Sequence, residues 1–164
     1  HVISGGPDPV EMTVLRLNKS YEENIPFGAE EMPRLASSKE EVLSLGGVTE
    51  YTKDDDGNSV PPSWRPVADT LICIEGDDST LYPFEHGKKS YVFAMWRIKG
   101  VAYRRAAVPI ITAATMFYRK GLRMGTFNLT TEKAVFGQNT VFVPRLTKGQ
   151  SNDDKFVTWL GEFA

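Results

Sequence analysis

Between residues 91 and 144 the chain is a succession of short β-branched and aromatic runs, broken by single glycines and a proline, with almost no helix signal. Short strands separated by turn residues every eight to twelve positions build antiparallel sandwiches and barrels. Extended to the whole chain, this pattern predicts eight strands: 10–17, 70–75, 91–98, 101–108, 110–118, 122–129, 140–143 and 156–160. Gly76-Asp77-Asp78, Gly87, Gly100, Pro109, Gly121, Gly137 and the stretch 149–154 fall between them. Several runs are apolar at both parities, as Tyr91, Phe93 and Met95 are against Val92, Ala94 and Trp96. Such strands are covered on both faces. In the first strand Val10, Met12 and Val14 lie at period two, and Leu15 and Leu17 then change phase.

One clear helix start stands out. Ser38 precedes Lys39-Glu40-Glu41, so its hydroxyl can cap free amides while Glu41 completes a capping box. Val42, Leu43 and Leu45 give the helix an apolar side, and Gly46-Gly47 stops it. Two turns are too short to stand alone, so this helix must pack on something. The expected class is all-β, an antiparallel β-sandwich with one or two short helices. The 164 residues form a single domain with a loop-rich N-terminal segment over about residues 1–30. In that segment Ser4-Gly5-Gly6-Pro7-Asp8-Pro9 is turn chemistry, and Ile25-Pro26-Phe27-Gly28 reads as extended. His1 in place of Met reads as a processing product or the edge of an ordered region.

A formal net charge of −2 gives no general affinity for nucleic acid or membranes, which need a basic face. A local patch remains open to Arg97, Lys99, Arg104, Arg105, Arg119, Lys120 and Arg123, although their simplest reading is a solvated strand face. No run reaches the ~20 apolar residues of a membrane span. The single cysteine, Cys73 in Leu71-Ile72-Cys73-Ile74, reads as a small buried hydrophobe and suits a reducing compartment.

Catalytic machinery is sparse. His86, in Pro83-Phe84-Glu85-His86-Gly87, reads as a loop histidine with no nucleophile in a recognisable frame. One Cys and two separated His make no zinc pattern. Gly121-Leu122-Arg123-Met124-Gly125 lacks the third glycine of a dinucleotide fingerprint. The pairs Glu30-Glu31, Glu40-Glu41, Asp77-Asp78 and Asp153-Asp154 sit beside turn residues. Asp54-Asp55-Asp56-Gly57-Asn58 is part of a calcium-loop pattern, but Arg65 stands where the closing acid belongs, and a hairpin or loop tip is the reading. No catalytic, cofactor or metal residues are assigned, and an enzyme is not expected.

Several short segments resemble capsid proteins of picorna-like viruses, of the dicistrovirus, iflavirus and picornavirus type. They are Glu31-Met32, Leu35-Ala36-Ser37, the stretch from Val42 to Tyr51, Leu81-Tyr82-Pro83-Phe84, Phe93-Ala94-Met95-Trp96-Arg97 with Gly100 and Tyr103-Arg104, Phe127-Asn128-Leu129 and Thr140-Val141-Phe142-Val143-Pro144. Ile98-Lys99 before Gly100 and Arg145-Leu146 after the Val-Pro pair depart from that pattern. The resemblance implies an eight-stranded jelly roll and a structural subunit of a small icosahedral RNA-virus capsid. Its partners would be other capsid subunits, viral RNA on the inner face and a host receptor on the outer face. It would be found in the virion, and in the host cell cytoplasm during assembly.

In that arrangement Phe93, Trp96, Phe127 and Phe142 are core or inter-sheet residues. The loops at 53–63, 76–80 and 147–154 are surface or subunit contacts. Alternation places Trp96 and Arg97 on opposite faces, with Trp96 buried and Arg97 exposed or paired with a carboxylate. The rival class is a monomeric β-sandwich module binding a ligand or carbohydrate, with Trp64, Tyr82 or Trp159 exposed to stack on sugar.

Overall fold

The computed structural model describes residues 8–26 and 28–164. Among these, nine strands form: β1 (Val10–Glu23), β2 (Leu35–Ala36), β3 (Thr52–Lys53), β4 (Ser59–Val60), β5 (Trp64–Gly76), β6 (Phe84–His86), β7 (Lys89–Lys99), β8 (Gly125–Phe136) and β9 (Asn139–Ser151). The helices are α1 (Lys39–Ser44), α2 (Val108–Met116) and α3 (Asp154–Leu160). A π turn (Tyr103–Ala107) runs directly into α2, and a 3-10 turn (Leu122–Met124) precedes β8. The mostly-β, antiparallel class with a few short helices is as expected. The strands are distributed differently from a jelly roll, which divides eight between two sheets. Seven lie in one sheet, ordered β6-β7-β5-β1-β8-β9 with β2 on the far end of β1, and β3 and β4 form a separate hairpin. The expected turn at residues 4–9 lies mostly outside the described residues, as do His1 and Phe27.

β1 organises the sheet. Its first residues pair with β8, from Val10 opposite Leu129 to Thr13 opposite Thr126. From Met12 onward it pairs with β5. A bulge between Val14 and Arg16 accounts for the phase change read in the sequence. Met12 and Val14 join the main core, Leu15 turns to the opposite face, and Leu17 packs back against the main core.

That main core draws on every long strand. Met12, Ile72, Phe127, Val92 and Leu146 belong to one cluster, although Val92 and Leu146 sit on β7 and β9, which lie on opposite sides of the sheet's centre. The sheet therefore curls around its contents, as twisted sheets do when they approach closure. Tyr103, Ala106, Ala107, Ile110 and Ala113, from the π turn and α2, fill the interior. On the outer face α3 covers Leu15, Cys73 and Tyr91 with Phe156 and Leu160. A third cluster of Tyr21, Ala36, Val42 and Trp64 ties β2 and α1 to the ends of β1 and β5.

Three predicted strands are corrected. Residues 101–108 and 110–118 form the π turn and α2. Apolar residues at both parities also describe a helix that is apolar all round, and short runs cannot tell the two apart. The alanines at 102, 106, 107, 113 and 114 are the best helix formers. Pro109 lies in the first turn of α2, and the π turn before it widens the ladder where proline has no amide to give. Residues 156–160 belong to α3. The Asp153 carboxylate accepts from the Phe156 amide at 3.0 Å, and Phe156, Trp159 and Leu160 fall at helical spacing on one side. In the predicted strand 122–129, only residues from 125 are extended.

Side-chain placement is mixed. Phe127 is buried in the main core, whereas Phe93 and Trp96 are half-buried and Phe142 is 68% exposed. Trp96 and Arg97 do point to opposite faces, with Trp96 against the main core and Arg97 paired to Asp69 at 3.0 Å. Ser38 caps α1 by accepting from the Glu41 amide at 3.1 Å. Glu41 reaches back one residue further than a capping box, to the Ser37 amide and hydroxyl. The stretch 147–154 is mostly strand and helix, with 147–151 closing β9.

Gly47 and Gly149 pack tightly against Trp64 and Thr126, and two further glycines against tyrosine rings. Gly76 lies against the ring of Tyr82 and Gly125 against that of Tyr118, so a Cβ at either would overlap the ring. Tyr118 is held there by its hydroxyl, which donates to the Thr126 carbonyl at 3.1 Å.

Cys73 is buried as expected, and desolvation pushes its thiol up to about 12. The thiolate is the reactive form. Native protein at pH 8 is therefore expected to resist iodoacetamide and to label rapidly once unfolded in urea. Equal rates in both states, read by intact mass, would contradict this burial.

Candidate functional site

The chain's charge is divided along its length. Residues 100–151 hold eight Lys and Arg and a single acid, Glu132, leaving eleven cations and twenty carboxylates elsewhere. That stretch is the π turn, α2 and the β8–β9 hairpin, so the basic part of the chain is a run of successive elements. A near-neutral total hides it.

The seven cations considered as a patch do not act together. Arg97 and Lys99, near the end of β7, converge with Arg65 on one carboxylate, Glu22, at 3.9, 3.3 and 3.8 Å. The Glu22 side chain is 5% exposed, while its three partners keep 33% to 46% of theirs in solvent. Arg104 and Arg105 follow directly in the π turn. Arg119, Lys120 and Arg123 lie beyond the other end of α2.

A groove of about 800 Å³ opens where the first group meets the second. Its walls are the loop after β1, the start of β5, the turn into the π segment and the tip of the β8–β9 hairpin. Three arginines line it, Arg65, Arg104 and Arg105. Arg65 is anchored by Glu22, and its Nε is buried without a hydrogen-bond partner. Arg105 is held by Glu132 at 3.1 Å. Arg104 forms no ion pair among the described residues. Glu50, the groove's one carboxylate, is engaged by Lys39 at 2.6 Å. Three rings line it: Tyr103 is buried, whereas Tyr51 is 68% and Phe136 46% exposed. Guanidiniums pair with phosphate and exposed rings stack on bases, so this groove has the chemistry of holding an unpaired, anionic, aromatic polymer.

The residues considered for sugar stacking are placed differently. Trp64 is 1% exposed and Tyr82 7%, which removes both from any surface. Trp159 is half-buried within a nest of His86, Tyr91, Phe93, Phe156 and Phe163. The His86 ring lies 5.0 Å from that of Trp159, tilted against it. Asp54 accepts from the Asn58 amide at 2.7 Å, a bond that closes the β3–β4 hairpin and holds its carboxyl below the usual range. Asp78 and Asp153 likewise accept from local backbone amides. No cluster of three metal-ligating side chains occurs among the described residues, and no described helix is long and apolar enough to cross a membrane.

Nothing in the sequence joins Tyr51, just before β3, to Phe136, the last residue of β8, because they are far apart along the chain. The acid-free run 100–131 was the legible signal of the site. No family model, curated protein or solved structure matches the chain.

Proposed function

We propose that this chain is a binding module for single-stranded nucleic acid, working without chemical turnover. The observation that carries the reading is the groove lined by Arg65, Arg104 and Arg105 and by two exposed rings, at the border of the basic stretch 100–151. Connectivity supports it. The five long strands follow one another as β1, β5, β7, a helix, then β8 and β9, with β1 pairing to both β5 and β8. This resembles the OB-type barrel, a partly open five-stranded barrel that takes oligonucleotides between its first and last loops and across its second and third strands. Here the loop after β1 and the β8–β9 tip flank the groove. Stacking on Tyr51 and Phe136 requires bases free of a partner strand, which disfavours duplex.

The test is fluorescence anisotropy with labelled oligothymidylate against a duplex of equal length. Single strands are expected to bind at least tenfold tighter. Three phosphate contacts predict a slope of log K against log salt of about −2. Arg104→Ala with Arg105→Ala is expected to weaken binding about tenfold or more. Equal affinity for duplex, or no binding at 50 mM salt, would overturn the reading.

A second reading is a structural subunit of a small icosahedral RNA-virus capsid, assembling with copies or sister proteins around the genome. One observation favours it. The β8–β9 hairpin ends in an apolar tip where Val135 and Phe142 are 70% and 68% exposed. Assembly would bury that tip against a neighbour. The mass of the native particle separates the two, since a shell is a megadalton object and a binding module is not.

A further inference from the structure

We propose that the nucleic-acid path continues beyond this groove, over Arg104 and along the outer side of α2, to a second subsite formed by Phe117 and Lys148. The inference rests on the single-strand reading. Arg104 also lines a second groove, of about 310 Å³, that runs beside α2. Arg104 thus borders both grooves, and it forms no ion pair among the described residues.

The second groove repeats the chemistry of the first. Phe117, just past the end of α2, is 57% exposed. The Lys148 ammonium lies 5.0 Å from its ring centre and pairs with no carboxylate among the described residues. Phe127 and Leu146 form an apolar floor. α2 turns Ile110 and Ala113 to the core and leaves Val108, Thr112 and Met116 outside with no described element upon them. Residues 100–131 hold no acid, and no carboxylate lines the second groove among the described residues. An exposed ring beside an ammonium can take one base and an adjoining phosphate, as the first groove does with its rings and guanidiniums.

The experiment compares oligothymidylates of four and twelve nucleotides. The four-mer fills only the first groove, and the twelve-mer is long enough to reach Lys148. The twelve-mer is expected to bind at least tenfold tighter per site. Its salt slope is expected to be steeper by about 0.7 for each added phosphate contact. Lys148→Ala and Phe117→Ala should each weaken the twelve-mer three- to tenfold and leave the four-mer unchanged. Lys148→Ala alone should also reduce the twelve-mer's slope. Thr112→Glu, an exposed helix position, should selectively weaken the twelve-mer through charge. Unfolding curves of the variants identify any loss due to misfolding. If the four-mer binds but the twelve-mer shows no gain, or Lys148→Ala leaves its slope intact, the second subsite is wrong. If neither oligonucleotide binds, the single-strand reading itself fails and takes the subsite with it.

Discussion

Trp64→Ala is expected to lower the unfolding free energy by about 3–5 kcal/mol, the usual cost of emptying a large aromatic site. Trp64 is fully enclosed by Tyr21, Ala36 and Val42, and the Arg34 guanidinium lies 5.5 Å from its ring centre. Its amide donates to the Val48 carbonyl at 3.0 Å. The residue therefore joins three things at one point: the start of β5, the end of β1 and the loop that carries α1. A loss of this size is a large share of a domain's marginal stability. Urea unfolding monitored by far-UV circular dichroism measures it. Trp64→Phe, which keeps most of the apolar volume, should lose markedly less. A loss under 1 kcal/mol for the alanine variant would mean that this cluster does not anchor the loop.

Glu22→Gln should move stability and ligand affinity in opposite directions. The buried carboxylate neutralises part of the charge of Arg65, Arg97 and Lys99, and the isosteric amide removes that attraction. Breaking a buried pair costs 3–5 kcal/mol when both partners are buried. Here the three cations stay partly in water and can be rehydrated, so a loss of about 2 kcal/mol is expected. The same change raises the positive potential beside the groove that Arg65 lines. Single-strand affinity at low salt should therefore rise about three- to tenfold, and the gain should shrink as salt is added. Simultaneous loss of stability and affinity would place Glu22 as a purely structural support for the groove.

The strands with clean boundaries were legible in the sequence. β7 and the second half of β5 were legible because Gly76, Gly87 and Gly100 punctuate their β-branched and aromatic runs, whereas the first half of β5, from Trp64 to Asp69, was missed. Even the phase slip at Leu15 was visible, although only pairing shows it to be a bulge. The failures share one cause. From 101 to 118 and from 156 to 160 the apolar pattern is dense, and dense patterns carry little period. The alanines of α2 and the capping aspartate before α3 were the better guides there. The site was less legible still. Its cations come from β5 and the π turn, and its two exposed rings, one just before β3 and one at the end of β8, stand some eighty-five residues apart. Only folding brings these together. What the sequence did hold was the separation of charge, which a whole-chain total conceals.

The contacts of Gly76 with Tyr82 and of Gly125 with Tyr118 bear on how this sequence can change over generations. In each pair the ring occupies the volume that any larger residue at the glycine would need. The glycine cannot be replaced while the ring remains. The ring can shrink first, at the cost of a cavity, and only then does the glycine position become permissive. Substitution at each pair is therefore ordered in time, tyrosine before glycine. Relatives of this chain should show both partners retained, the ring alone reduced, or both altered, and the enlarged glycine beside an intact tyrosine should be the missing combination.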